Sequence, residues 1–420
     1  MSGDQVDTDV AVVGGGPAGL AAAVAIRRSG ASVTVLEREE GVGGVARHVA
    51  HSGYGLREFR RLLRGPEYAR RWGERAARAG VDVRTCTTAT AWAEDEADTR
   101  SLMLTSPAGR DSLVARAVVL ATGTRERPRS ARLVPGSRPS GVLTTGSLQR
   151  IVASGRRPGS LAVIVGAEHV SFSALMTLAH AGCRTVAIVT PERRHQSYAL
   201  LRLMSASRHR VPVLTRTTIA AIRGRDRVES IELFDHDSGQ TRVVACDTVV
   251  FTGDWIPDHE LTRRGSVPID PGTLGPQVDG ALRTGTRGVF GAGNLLHGAE
   301  TAGVCAASGT WVARAVVAWL DDPDPNRWAT SRAVPIECET PLRWISPNLL
   351  VPGETGIPHG RFLARSTAIS RRPTVVVRQG ERELWRGRLR RTVPTMPIHL
   401  PDDWISKVEQ GEPVRIAMTG

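Results

Sequence analysis

Gly14-Gly15-Gly16-Pro17-Ala18-Gly19, with Glu37 beyond it, is the stretch that decides the fold of this chain. An apolar β-like run over 9–13 leads into the glycines, and a helix-like run over 20–28 follows them. A second β-like run, 32–36, ends at the acid. Strand, glycine turn, helix, strand and acid in that order make a dinucleotide-binding βαβ unit. Gly14 permits the tight turn, Gly16 lets backbone approach a pyrophosphate, and Gly19 lets helix and strand pack closely. The helix start at Pro17 and Ala18 offers amide hydrogens and positive dipole to phosphates. Glu37, with Arg38 beside it, stands where a carboxylate accepts hydrogen bonds from ribose hydroxyls.

At 420 residues the chain has room for two or three domains. Its formal net charge is +13 and Lys407 is its one lysine, so the excess is arginine, scattered through every segment. Aromatic content is 4%, which does not supply the basic face interleaved with rings that nucleic-acid binding needs. The charge is read as compositional, with a bias toward acidic or phosphorylated partners. No run of 18 apolar residues and no basic-then-apolar leader occurs, so neither a membrane span nor a secretory signal is expected. Cys86, Cys183, Cys246, Cys305 and Cys338 lie far apart, with no CxxC pair. That pattern argues against a redox disulfide, a metal site or a cysteine-ligated cluster, and for free thiols in a reducing cytoplasm.

Further along, a β-like run over 116–120 ends in Ala121-Thr122-Gly123, and 124–141, rich in Pro, Gly, Arg and Ser, reads as a connection. A second βαβ pattern starts at 161–165, turns at Gly166, runs as a helix over 171–180 and returns as a strand over 185–190. In register with the first turn it reads Gly166-Ala167-Glu168-His169-Val170-Ser171. Glu168 stands where glycine would admit a pyrophosphate, and the strand ends at Thr190 instead of an acid. Arg193 and Arg194 would suit a 2′-phosphate, favouring NADPH over NADH if either binds. The alternative is a retained fold without a nicotinamide. More strand-like runs follow at 211–215, 219–222, 230–234 and 248–252. Gly291-Ala292-Gly293-Asn294 then precedes a small-residue helix over 302–320, whose Trp311 and Trp319 share one face and read as core. After a turn over 321–326, prolines and short alternating strands mark a β-rich C-terminal part.

The first glycine turn with its acid, Ala121-Thr122-Gly123, the second βαβ unit and Gly291-Ala292-Gly293-Asn294, in that order, resemble the pyridine nucleotide-disulfide oxidoreductase superfamily of flavoproteins. The resemblance implies an α/β fold with two Rossmann-like dinucleotide-binding domains, the second inserted in the first, plus a small β-rich C-terminal domain. The expected boundaries are 1–145 and 250–330 for the FAD-binding domain, 146–249 for the NAD(P)-binding-like insert and 331–420 for the C-terminal domain. FAD is the implied cofactor. Gly14, Gly16, Pro17, Ala18, Gly19, Glu37 and Arg38 would meet its ADP half, with Thr122 and Gly123 near the adenosine. Gly44, Val45 and Arg47 would line pyrophosphate and flavin. Gly293 and Asn294 would lie by the ribityl chain, with Asn294 where the family usually has aspartate. A narrower similarity rests on Gly43-Gly44-Val45-Ala46-Arg47-His48, Gly65-Pro66-Glu67-Tyr68-Ala69, Gly293-Asn294-Leu295-Leu296-His297 and Leu342-Arg343-Trp344-Ile345-Ser346-Pro347. These look like flavoproteins found beside glycerol-3-phosphate dehydrogenases and like the flavin subunits of hydrogen cyanide synthase and opine dehydrogenases. That similarity implies a partner carrying a second redox centre.

The chain departs from the disulfide reductases of that superfamily in lacking two cysteines where the flavin should lie: Val45, Ala46, Arg47, His48 and Val49 follow Gly44. A flavin takes hydride without a protein nucleophile, so the residues left to supply chemistry are proton carriers. His48, His51 and His297 are the catalytic candidates, because they flank the two segments expected to converge on the flavin; Cys305 reads as packing. The function this supports is an FAD-dependent oxidoreductase without a redox disulfide, acting on a small amine, imine or hydroxy compound, alone or in a complex. Two alternatives stay open: an NAD(P)H-dependent flavin reductase feeding a partner, and a non-catalytic flavin-binding protein.

Overall fold

The computed structural model describes residues 6–94, 99–197, 211–298, 300–323, 328 and 332–420. Helices are numbered α1 (Pro17–Arg27), α2 (Gly65–Arg78), α3 (Thr145–Ala153), α4 (His169–His180) and α5 (Ala302–Asp321). The chain begins as the glycine turn requires. Thr8–Val13 pairs in parallel with Val33–Leu36 on one side and with Gly109–Leu120 on the other. Asp82–Arg84 extends the sheet beyond Val33–Leu36, and Val289–Gly291 returns from far along the chain to close the other flank. The strand Gly109–Leu120 differs from the two shorter runs expected at 112–115 and 116–120. Its first half pairs antiparallel with Arg100–Ser106 while its second half joins the parallel sheet, so one continuous strand carries two patterns.

A second parallel sheet runs Val142–Thr144, Thr248–Phe251, Leu161–Val165, Arg184–Val189 and Val213–Leu214. Two of its strands lie on either side of the 145/146 and 249/250 boundaries expected from sequence, because both pair inside it. An antiparallel three-stranded layer, Thr217–Arg223, Ser230–Asp235 and Thr241–Ala245, covers one face. This is the two-nucleotide-domain α/β fold, the second Rossmann-like unit inserted in the first, followed by a β-rich C-terminal region. In that region a five-stranded and a three-stranded sheet enclose a core around Phe362, Trp404 and Ile416.

α1 and α5 hold the first domain together because both present small residues at their crossing. A methyl group on Gly309 would run into the Ala18 carbonyl. α5 is 20 residues long and apolar enough by length and composition to cross a membrane, yet here Val312, Ala313, Val316 and Trp319 are buried in the protein core. Trp311 is not core as expected: it is half-buried and donates its indole N–H to the Gly280 carbonyl at 2.8 Å. The expected 321–326 turn lies in part outside the described residues.

Candidate flavin and catalytic site

The glycine turn packs against the end of the Gly109–Leu120 strand. Gly14 has φ +110°, and a side chain there would strike the Ala121 carbonyl. Gly19 faces the Gly14 carbonyl with no room for a methyl group. Gly16 differs: nothing lies within 4 Å of where its Cβ would be. α1 starts behind it with no side-chain cap on its first amides. An open space in front of uncapped helix amides suits a pyrophosphate. Pro17 starts α1 without needing an amide hydrogen of its own, and Ala18 is buried against Gly293. The Gly15 carbonyl accepts from Gly43 N at 2.7 Å, which brings the 43–48 turn, with Gly44 beside Gly16, up to the same space.

Glu37 is buried and its oxygens are already engaged. Oε2 accepts from Gly15 N and Oε1 from Glu39 N, each at 2.9 Å. Burial pushes its carboxyl up, opposed by the Gly15 hydrogen bond and by Arg38 and Arg47. Glu37 therefore braces the turn that sequence placed it beside, with second lone pairs left for a ribose. Arg38 reaches Asp258 at 3.1 Å. Asp258 also takes Arg125 at 3.1 Å, its N–H donates to Gly123 O at 2.9 Å, and its carbonyl accepts from the Thr122 hydroxyl at 2.7 Å. Asp258 carried no motif, and only the fold reveals it as the tie between Thr122, Gly123 and Arg38.

A second tie of the same kind is Glu39. Its carboxylate takes Arg47 at 3.0 Å, His48 Nε2 at 3.1 Å and Arg150 of α3. Val45, in between, is 59% exposed. His51 is equally committed: its Nδ1 donates to Ser52 O at 2.8 Å, so its Nε2 accepts from the Ser173 hydroxyl of α4 at 2.7 Å. Ser173 Oγ in turn accepts from Gln149 Nε2 at 3.0 Å. His48 and His51 thus serve structural bonds between the flavin-side loop and the insert.

His297 sits otherwise. It is buried, stacked on Trp344 with centroids 5.0 Å apart, and its Nδ1 donates to Gly298 O at 3.1 Å. The Nε2 lone pair remains, and burial holds the ring's pKa down to about 4, so it is neutral at physiological pH. His297 lines a cavity between α5 and the C-terminal region. Gly293, φ +70°, meets α1 at Ala18 and donates its N–H to Ser308 Oγ at 3.1 Å. Asn294 uses both ends of its amide on the Glu300 backbone, at 2.8 and 3.3 Å, and so shapes the 294–300 loop itself. Glu300 then makes a buried ion pair with Arg365 of the C-terminal region at 2.6 Å, and Arg365 lies over Trp344 at 5.5 Å. Glu300→Gln strands the Arg365 cation and is expected to cost about 3 kcal/mol of stability, read as a lower urea midpoint. An unchanged midpoint would show that other groups carry the Arg365 charge. Cys305 is buried as expected, and burial pushes its thiol up to about 12. All five cysteines are free thiols.

The second glycine turn is occupied by protein. Gly166 has φ +128°, with the Glu168 carboxylate beside it. Glu168 also lies over Gly253, whose Cβ would sit 3.1 Å from its Cδ. Glu168 Oε1 is buried with no hydrogen-bond partner, and burial pushes that carboxyl up. Glu126 shares this environment: Oε2 accepts from Gly146 N at 2.8 Å, Oε1 is buried without a partner, and burial pushes its pKa up to about 7. Arg132 caps the pair, donating to Gly253 O at 2.7 Å. Arg193 and Arg194 are exposed.

Two nucleotide-type turns on inserted Rossmann-like units define a two-dinucleotide-domain flavoprotein. The sequence profile of the pyridine nucleotide-disulphide oxidoreductase family matches residues 8–309, and the chain belongs to that family of FAD-dependent oxidoreductases, which use FAD and NAD(P)H. Over 345 residues it is 30% identical to the first subunit of opine oxidase from Agrobacterium tumefaciens (strain Ach5), covering 74% of this chain and 66% of that one. Over 328 residues it is 27% identical to the corresponding opine oxidase subunit from Rhizobium meliloti, covering 70% and 60%. The chain thus spans less than two thirds of the length of either relative. Thioredoxin reductase from Lactococcus lactis has the same fold, with a TM-score of 0.65 at 18% identity over 75% of this chain and all of that one.

Proposed function

We propose that this chain is the flavin-carrying component of an oxidoreductase that takes electrons from a small amine, imine or hydroxy compound, without a redox disulfide and with an insert that no longer uses NAD(P)H. The observation that carries this reading is Glu168: a buried carboxylate lies where a second pyrophosphate would need bare backbone. The five separated free thiols support it too, since no pair is available for disulfide exchange. FAD is assigned to the space before Gly16 and α1, with the 43–48 turn, Thr122, Gly123 and Gly293 around it. When bound, it supplies a hydride acceptor. Residues 1–145 and 250–330 are taken as its domain, 146–249 as the insert and 331–420 as the C-terminal domain. The chain's own part is to hold the cofactor, exclude water and offer the His297 lone pair. The two opine oxidase relatives are components of multi-subunit enzymes, which favours a redox partner for this chain, both working in a reducing cytoplasm.

The test is anaerobic. The purified protein is expected to be yellow, and its oxidised-flavin band is expected to persist when NADH or NADPH is added. Bleaching at a catalytically useful rate would sink the unused insert, and a colourless protein that cannot be reconstituted with FAD would sink the whole reading. Glu168→Gly removes the wedge and is expected to quicken bleaching by NADPH. Substrate turnover seen only after a partner protein is added would reassign the chemistry to that partner.

A further inference from the structure

The cavity lined by His297 is walled on its other side by the C-terminal region, through Pro358, His359, Arg361 and Leu363. It is narrow, about 20 Å³, so it admits the polar head of a small molecule and little more. Two imidazoles line it, and their hydrogen bonds fix opposite tautomers. A guanidinium only donates, so Arg57 Nη2, 3.2 Å from His359 Nδ1, makes that nitrogen the acceptor and puts the His359 ring hydrogen on Nε2. On His297 the carbonyl of Gly298 takes the Nδ1 hydrogen and leaves a lone pair on Nε2. One wall therefore offers an N–H donor and the other an acceptor. The His359 donor is buried and has no hydrogen-bond partner in the protein. Such a group costs roughly 1–3 kcal/mol if nothing meets it. His359 is also held at φ +65°, a conformation uncommon for histidine and concentrated at functional sites.

Charge selects the ligand. Arg361 is exposed at the cavity and makes no ion pair among the described residues. Arg57 stands behind His359. The carboxylate that lines the cavity, Glu300, is neutralised by Arg365 at 2.6 Å. Glu58, next to Arg57, is bound by the Tyr68 hydroxyl at 3.0 Å. Donors and cations on one wall and a lone pair on the other match an anion that also carries a hydrogen-bond donor.

We propose that this cavity binds a small α-hydroxy or α-amino carboxylate, His359 and Arg361 holding the carboxylate and His297 accepting from the adjacent hydroxyl or amine. The site deepens the function proposed above, since it would present such a ligand at the 293–300 loop, and it rests on that reading only for what happens next. Glycolate, the smallest such molecule, is the probe, titrated by calorimetry into the full-length protein alongside acetate, ethylene glycol and inorganic phosphate. Glycolate is expected to bind saturably and roughly tenfold tighter than acetate, the worth of one hydrogen bond of about 1.4 kcal/mol. Ethylene glycol and phosphate are expected to give no saturable heat. Arg361→Gln and His359→Asn, the latter tolerant of positive φ, are each expected to weaken glycolate about tenfold or more. ¹⁵N-histidine spectra should show an Nε2–H tautomer at His359 and an Nδ1–H tautomer at His297. Glycolate binding no better than acetate or phosphate, binding indifferent to both variants, or no binding at all overturns the site. A yellow protein that ignores glycolate overturns this site alone, whereas a protein that binds glycolate but never FAD overturns the function and leaves the site standing.

Discussion

Gly16→Val is expected to empty the protein of flavin and leave its fold intact, while Gly19→Ala, three residues on, is expected to cost the fold itself. Both are glycines of one turn, and their surroundings differ. Gly16 has φ −78° and ψ −177°, extended backbone open to any residue, and its side-chain direction meets nothing within 4 Å. An isopropyl group there touches no protein atom; it fills the space before the α1 amides. The loss of FAD affinity should be on the order of a thousandfold, about 4 kcal/mol. Gly19 faces the Gly14 carbonyl instead. That oxygen belongs to backbone whose own N–H is tied to Leu36 O at 2.9 Å, so it cannot step aside. Overpacking against fixed backbone costs about 3 kcal/mol or more. The two measurements are the flavin absorbance of the purified protein and the far-ultraviolet unfolding midpoint. A yellow Gly16→Val protein, or a Gly19→Ala protein with the parent's midpoint, would contradict the assignment of the turn.

The second large effect concerns pH. Glu126 Oε1 is buried without a partner, and its pKa is raised from the ordinary 4.5 to about 7, first by burial and then by Glu168 nearby. The folded protein therefore holds a proton that the unfolded chain releases. That stabilisation is full below pH 4.5 and is lost as pH rises through about 7. A displacement of this size corresponds to about 3 kcal/mol. Glu126→Gln keeps an acceptor for Gly146 N and turns an amide toward Glu168. It is expected to be more stable than the parent at pH 8 by about 2–3 kcal/mol and to lose most of the decline between pH 5 and 8. Parallel pH curves for the two proteins would show that Glu126 is not the group that titrates.

The legible part of this protein is its local pattern. The turn at Gly14–Gly19 and the defect at Glu168 both follow from a few consecutive residues whose spacing has a physical meaning. The strand Gly109–Leu120 reads as two because it changes partners midway, which no period of two can signal. Glu37 and Asn294 stand out for their places in the motifs, yet in the structure their side chains bind backbone at Gly15, Glu39 and Glu300. A motif position names the residue without naming every atom it touches. The ties made by Asp258, Glu39, Ser173 and Arg365 lie beyond sequence reasoning, since each joins segments that only the folded topology brings together. His359 shares that reason: its donor acquires meaning only once Arg57, 302 residues away, occupies the other nitrogen.

The chain Gln149, Ser173, His51 spans the seam between the flavin-side loop and the insert, and Arg150 with Glu39 crosses the same seam. On the far side, the Thr395 hydroxyl reaches Gln196 O at 2.7 Å, fastening the insert to the C-terminal region as well. The insert is thus bolted at both ends, and any swing about its two connecting segments must first shear these polar fastenings together. A reductant has to be met by a rigid frame: electrons enter and leave where the walls already stand, not where a moving arm delivers them.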